Sequence, residues 1–315
     1  MQIWSGGAVG LVLLALAAGC SEPSDACTRA SDCPAGQTCS DGRCLPVLKG
    51  DIGPTEAGLD GPAHDLAADG PVWPDTGPTD GGCTGNQNGK IEREELVLVV
   101  PTSLMYRVGT DVQLDLAGSS SGGQTVWDLS GAAKDDHDEP MDLEPVPAWA
   151  SSHFAGATYV SLLDASTDMH GVYLVSQTRM QLLGAISGKQ SYGRVTYSTP
   201  VDLLRFPIQP GDSYGTKTFG TGFWGISVIS NWETWDAEVV KAGTVKLPKL
   251  SLDAVMVRIR SEQYLYGNPL LLSTTTLFLF ISECYGVVAR VVVDGDPGAS
   301  PGQVVAKERW RLTTP

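Results

Sequence analysis

The densest group of reactive side chains in this 315-residue chain is Asp135-Asp136-His137-Asp138-Glu139 with Asp142 and Glu144, six acids within ten positions. Carboxylates this close could hold a divalent cation or raise one another's pKa for acid–base work. Pro140, Pro145 and Pro147 interrupt and follow them, and a charge run of that composition reads as a solvated loop. Gly118-Ser119-Ser120-Ser121-Gly122 matches the G-x-S-x-G pattern of a nucleophilic serine, which needs a buried strand before it and a helix after it. The residues that follow, Thr125-Val126-Trp127-Asp128, read as another strand, so the stretch is a hairpin loop. The four histidines (His64, His137, His153, His170) fall at no ligand spacing, and no H-E-x-x-H, P-loop or dinucleotide-binding glycine motif occurs. No catalytic residue is nominated. Tyr214, Phe219, Phe223, Trp224, Trp232 and Trp235 fall within 22 residues, interleaved with Gly and Thr. Such rings pair across strands and stabilise a sheet; the other reading is a platform for sugars or lipid tails.

Counted from Thr84, Asn86, Asn88, Glu92 and Glu95 occupy positions 3, 5, 9 and 12, with Gly89 at position 6. This alternation of oxygen ligands around a glycine resembles an EF-hand-type calcium loop. Thr84 stands where the first carboxylate belongs, two Asn replace acids, and Leu96 to Val100 is β-like rather than an exiting helix. The resemblance therefore implies weak calcium binding, in the millimolar extracellular range. The competing reading is an Asn88-Gly89 turn that opens a folded domain. No other cofactor is expected.

The elements that must position these residues are laid out in series. Ala8 to Ala18 is an apolar run of eleven residues, too short to span a hydrocarbon core of about 30 Å. It ends in Leu16-Ala17-Ala18-Gly19-Cys20, which resembles a bacterial lipobox. The resemblance implies a signal peptide over 1–19 and a mature chain that starts at Cys20, thioether-linked to diacylglycerol. Two or more acyl chains at roughly 0.8 kcal/mol per buried CH₂ would hold the chain firmly on a membrane. Met1 to Gly7 carries no Lys or Arg, a departure from the usual positive start of such signals.

Residues 20–49 form a Cys-rich module with Cys27, Cys33, Cys39 and Cys44. Asp, Gly, Pro and Ser fill the gaps and cannot build a core, so two disulfides must replace it. Three connectivities are open, of which Cys27–Cys39 with Cys33–Cys44 is favoured. Zinc is disfavoured because C-x₂-C pairs are missing. The pattern D-C-P-x-G-x-x-C-x-x-G-x-C, read here from Asp32 to Cys44, resembles small modules on surface lipoproteins of social, predatory soil bacteria. Such modules are spacers or interaction knobs.

Residues 50–82 hold eight Gly, five Pro and seven acids with no Lys or Arg. The segment cannot bury enough apolar surface to offset its ordering entropy and is expected to be a disordered acidic tether. Its reach runs from roughly 30 Å as a coil to about 100 Å as polyproline II.

Beyond residue 83, short β runs recur every eight to twelve residues, several with period-two alternation, as in Val112-Gln113-Leu114-Asp115-Leu116 and Val255-Met256-Val257-Arg258-Ile259. No twelve-residue amphipathic helical window stands out. The expected fold over 83–315 is mainly β, an antiparallel β-sandwich or open half-barrel, with Leu270 to Ile281 as a long central strand. Cys83 and Cys284 are expected to pair and staple the start of the domain to that strand; the alternative is a buried thiol at Cys284.

The blocks Val126-Trp127-Asp128-Leu129-Ser130, Tyr197 to Pro207 and Cys284 to Arg290 are similar to uncharacterised surface lipoproteins of the same bacterial group, which carry no activity to transfer. Val239 to Arg260 is similar at fold level to half-barrel periplasmic lipoproteins that clasp hydrophobic ligands. Net charge is −15, which argues against nucleic acid or an anionic surface as partner. Together these readings give a lipid-anchored protein of the outer membrane, on its surface or periplasmic face, held through Cys20. It would display a non-catalytic binding or structural domain to an envelope or extracellular partner. The alternatives are a hydrophobe-binding β-clam and a secreted hydrolase.

Overall fold

A computed structural model describes residues 37–40, 43–46, 83, 85–96, 98–164, 167–189, 192–298 and 301–314, the first two stretches as backbone only. Cys20, Cys27 and Cys33, the signal segment and the 50–82 tether lie outside the described residues, as does Thr84. The chain divides into two compact units, residues 6–73 and essentially 74–315. In the first, β1 (Gln37–Ser40) and β2 (Arg43–Pro46) form an antiparallel hairpin in which Cys39 and Cys44 are backbone partners.

The second unit contains β3 (Thr102–Asp115), β4 (Ser119–Ser121), β5 (Gln124–Asp128), β6 (His137–Glu144), β7 (Tyr159–Asp164), β8 (Met169–Val175) and β9 (Arg179–Ser187). These are followed by β10 (Gly193–Arg205), β11 (Ser213–Trp224), β12 (Ser227–Lys246), β13 (Ser251–Leu265), β14 (Leu271–Ser282), β15 (Gly286–Asp294) and β16 (Gln303–Thr314). Apart from a four-residue helix, Ala148–Ser151, and a 3-10 turn, Arg93–Glu95, the described residues of this unit are strands and connections.

β6 through β16 form an up-and-down meander, and β3 pairs antiparallel with β6 on one side and β16 on the other. The ring of β3 and β6–β16 is therefore a closed barrel of twelve antiparallel strands. This corrects the expected sandwich or half-barrel. Alternating strands are compatible with all three forms, and here the first strand of the ring pairs with the last, leaving no edge. Strong local coiling helps the wall curve. At Gly222 on β11, with φ 154°, a Cβ would lie 1.9 Å from the carbonyl oxygen of Arg194 on β10. The seam between β6 and β7 is thin, with only Leu143↔Ser161 and Glu144↔Val160 in register.

β4 and β5 form the hairpin expected at Gly118–Gly122, and β5 adds to the end of β12 in parallel. This insertion covers part of the outer wall. Trp127, fully buried, packs edge-on against Phe280 at 5.2 Å and donates from Nε1 to the Leu116 carbonyl. Leu116, Leu129 and Leu247 join Met256, Phe278, Val291 and Val293 in one core cluster. A second cluster lies within the barrel and includes Ile91, Leu96, Leu143, Leu204, Val257, Ile259 and Leu279.

The segment before β3 closes one end of the barrel. Ile91 and Leu96 are buried there, and Ile91 exchanges both backbone hydrogen bonds with Ile208 in the β10–β11 connection. Cys83 is bonded to Cys284 in the β14–β15 turn, the pairing expected from the sequence. The β9–β10, β11–β12 and β13–β14 connections lie at the opposite end, because antiparallel hairpins alternate.

Candidate functional site

Inside the barrel lies a cavity of about 310 Å³. Its size is at the low end for small-molecule sites. Successive strand residues point to opposite faces, so the inward set can be read by register. On β13 it runs Gln263, Ser261, Ile259, Val257, and on β14 their partners are Ser273, Thr275, Leu277 and Leu279. The wall therefore changes from polar to apolar within two residue pairs, and the polar part is the end away from the plug. Leu104, Tyr106, Met141, Tyr159, Tyr173 and Leu182 complete the apolar part.

The tyrosines contribute ring surface without charge. Burial pushes Tyr106 and Tyr159 well above the usual phenol range and Tyr173 up to about 12. Tyr159 and Tyr173 stack at 4.8 Å, and the Tyr106 hydroxyl donates to the Val287 carbonyl.

Three carboxylates sit at this interior, Asp164, Glu308 and Glu233, and side-chain donors engage Oε2 of Glu308 and both oxygens of Glu233. Glu308 on β16 accepts from Arg290 Nη2 at 3.2 Å and from Trp310 Nε1 at 3.0 Å. Arg290 also donates to the Leu163 carbonyl and lies over the Trp310 ring at 4.6 Å. At the polar end, the buried Glu233 accepts from Asn231 Nδ2 at 2.7 Å, Trp235 Nε1 at 2.8 Å and Gln263 Nε2 at 3.4 Å. Burial raises the Glu233 carboxyl, and the donors from Asn231, Trp235, Tyr197 and Gln263 counter that only in part. Trp235, Tyr197 and Gln263 line the cavity.

The residues singled out in the sequence go elsewhere. Asn86 Oδ1 accepts from the Asn88 N–H at 2.9 Å, and Asn88 Oδ1 from the Lys90 N–H at 3.0 Å. Glu92 pairs with Lys90 at 2.7 Å, while the buried Glu95 side chain caps the Glu92 N–H at 2.8 Å. These four oxygen donors serve their own backbone and neighbours, the geometry of a tight turn with Gly89 at φ 81°. Among the described residues, no group of three His, Cys, Asp or Glu converges on a metal-sized site.

The acidic run disperses in the same way. Asp135 accepts from the Thr110 N–H, Asp138 pairs with Arg107 at 2.8 Å, and Asp136 binds Arg309 and Arg311 at 3.3 and 2.6 Å. His153 contacts Arg194, and His170 contacts Asp168. The aromatic set divides between wall and lumen. Phe219 and Trp232 are cross-strand partners on the outside, while Trp235 faces in and meets Tyr197 edge-on at 6.4 Å.

The sequence signal for the lumen is the change of residue type along one face: Val255, Val257 and Ile259 give way to Ser261 and Gln263. Arg290 and Glu308 come from non-adjacent positions and carry no local signal. The chain matches no protein family, no curated protein and no solved structure.

Proposed function

We propose that the protein is a lipid-anchored envelope protein whose barrel binds a small hydrophobic or amphiphilic molecule in its lumen and does no chemistry on it. The observation that carries this reading is the apolar cavity with one polar end, bounded by Ile259 and Leu277 on one side of the transition and Ser261 and Thr275 on the other. Such a lining favours a ligand with an apolar body and a hydrogen-bonding group at one end. A non-catalytic role is supported by Glu233, whose two oxygens are engaged by the Asn231 and Gln263 amides and the Trp235 indole. Attachment would come from acylation of Cys20, on the surface or the periplasmic face of the outer membrane, with the 50–82 tether holding the barrel away from the anchor. The Cys27, Cys33, Cys39 and Cys44 module would serve as the spacer at its base.

The test is a fluorescence titration of the full chain with 1-N-phenylnaphthylamine. Saturable one-to-one binding that is lost in Ser261→Trp, with the melting transition retained, supports the reading. Absence of saturable binding, or binding that Ser261→Trp leaves intact, refutes it.

A further inference from the structure

The barrel end opposite the plug carries most of the exposed apolar surface of the described residues. Of the eleven exposed large hydrophobic residues, eight sit there: Tyr192, Ile226, Val228, Trp232, Leu265, Tyr266, Leu270 and Leu271. They belong to three adjacent hairpins, β9–β10, β11–β12 and β13–β14. Contiguous exposed patches of this kind mark interaction sites.

Three properties of this rim define its partner. It protrudes: Ile226 at the tip of β11–β12 is fully exposed, with a relative accessibility of 104%. Its two protruding hairpins are uncharged: residues 218–232 and 263–282 contain no Asp, Glu, Lys, Arg or His, and the charges of the rim, Lys189 and Arg194, are confined to β9–β10. It is layered: below the aliphatic tips lies an outward aromatic band, with Phe219 5.0 Å from Trp232 and 5.1 Å from Tyr266. Below that band the outer wall turns ionic, where Arg260 pairs with Asp236 at 2.8 Å and Arg258 with Glu238 at 3.6 Å.

Aliphatic tips, an aromatic belt and then charge is the order of groups that a bilayer presents from acyl chains through headgroups to water. A charged wall does not fit a barrel that spans the membrane, whose outer band must be apolar. A protein partner would leave the protruding tips to be matched by a recess, and the charge-free tips offer no ion pairs to orient it. We propose that this rim docks the barrel on a lipid surface by shallow insertion of the β11–β12 and β13–β14 tips. The chain outside the barrel permits this. Cys83 is bonded into the plugged end, and residues 50–82, read from the sequence as a tether, would span roughly 30–100 Å as coil or polyproline II, enough for the opposite end to turn to a bilayer. The polar end of the lumen lies directly behind the rim, so docking places it next to the headgroup layer. The proposal stands whether or not a ligand occupies the lumen.

The experiment uses the full chain carrying Cys20→Ser, so that no acyl anchor contributes, and vesicles of phosphatidylcholine. Docking predicts co-sedimentation and quenching of rim tryptophan emission by brominated acyl chains. Ile226→Asp with Leu270→Asp lowers the partition coefficient by about tenfold or more. Met105→Asp, an exposed apolar position near the plugged end of β3, leaves it unchanged. The proposal is overturned if the Cys20→Ser chain does not bind vesicles, or if the double variant binds as well as the parent. It is equally overturned if the parent is a dimer without lipid affinity that the double variant dissociates, because the rim would then belong to a second copy.

Discussion

The backbone N–H of Cys284 donates to the carbonyl of Glu95 at 2.8 Å, beside the bond that joins its sulfur to Cys83. The plug is thus fixed to the β14–β15 turn by a hydrogen bond and a covalent link, and Ile91 and Leu96 follow it into the barrel. The link closes a loop with a sequence separation of 201. In the chain-entropy account such a loop contributes on the order of 5 kcal/mol. Cys83→Ser with Cys284→Ser should therefore lower the melting temperature by roughly 10–20 °C, at about 2–4 °C per kcal/mol for a domain of this size. Calorimetry with and without reductant checks this: the reduced parent must match the double variant, and equal stability of all forms contradicts the role given to the plug.

Asp136 predicts a different kind of loss. Its carboxylate is the acidic partner of Arg309 and Arg311, whose side chains are 2% and 0% exposed. Burial acts to raise the Asp136 carboxyl, but the Ala133 N–H and the two guanidinium groups outweigh it and hold it below the usual range. Asp136→Ala leaves two buried cations uncompensated and should cost about 3–5 kcal/mol by urea denaturation. Asp138→Ala, which removes the exposed pair with Arg107, should cost under about 1 kcal/mol. Because the folded pKa of Asp136 is depressed, its contribution is complete above the unfolded value near 3.9 and is lost as pH falls through the lower folded value. Similar losses from the two variants would show that the cluster does not pin the outer wall.

Glu233 has the opposite sign. Its folded pKa is raised by burial, so its protonated form favours folding; that contribution is full below about 4.3 and fades as pH rises through the folded value. Glu233→Gln removes this dependence and leaves some of the four surrounding donors unmatched, a cost of roughly 1–3 kcal/mol. Melting temperatures from pH 4 to 8 should show the parent's advantage over the variant largest at pH 4 and shrinking toward pH 8. A constant difference contradicts a raised carboxyl at this site.

Much of the fold was legible because its signals are local. Val255 to Ile259 alternates, so β13 is readable; Leu270 to Ile281 is nearly all β-branched or apolar, and the strand found is Leu271–Ser282. Closure was not legible, because it depends on pairs such as Val108↔Trp310, two hundred residues apart, and a half-open sheet has the same alternation. The acidic run looked like a solvated loop, yet Asp136 turns inward; the counterparts that bury it, Arg309 and Arg311, stand on the last strand. The spacing of the aromatic cluster points mainly to cross-strand pairing. That holds for Phe219 with Trp232, while Trp235, one face over, turns into the lumen.

The central claim is that the lumen holds a ligand, and native mass spectrometry of the Cys20→Ser chain, purified from an oxidising compartment, tests it most directly. The account predicts a co-purifying non-covalent adduct of small-molecule mass, released on unfolding and missing from Ser261→Trp. A parent that carries only its own mass and takes up no adduct from an added lipid extract would contradict it.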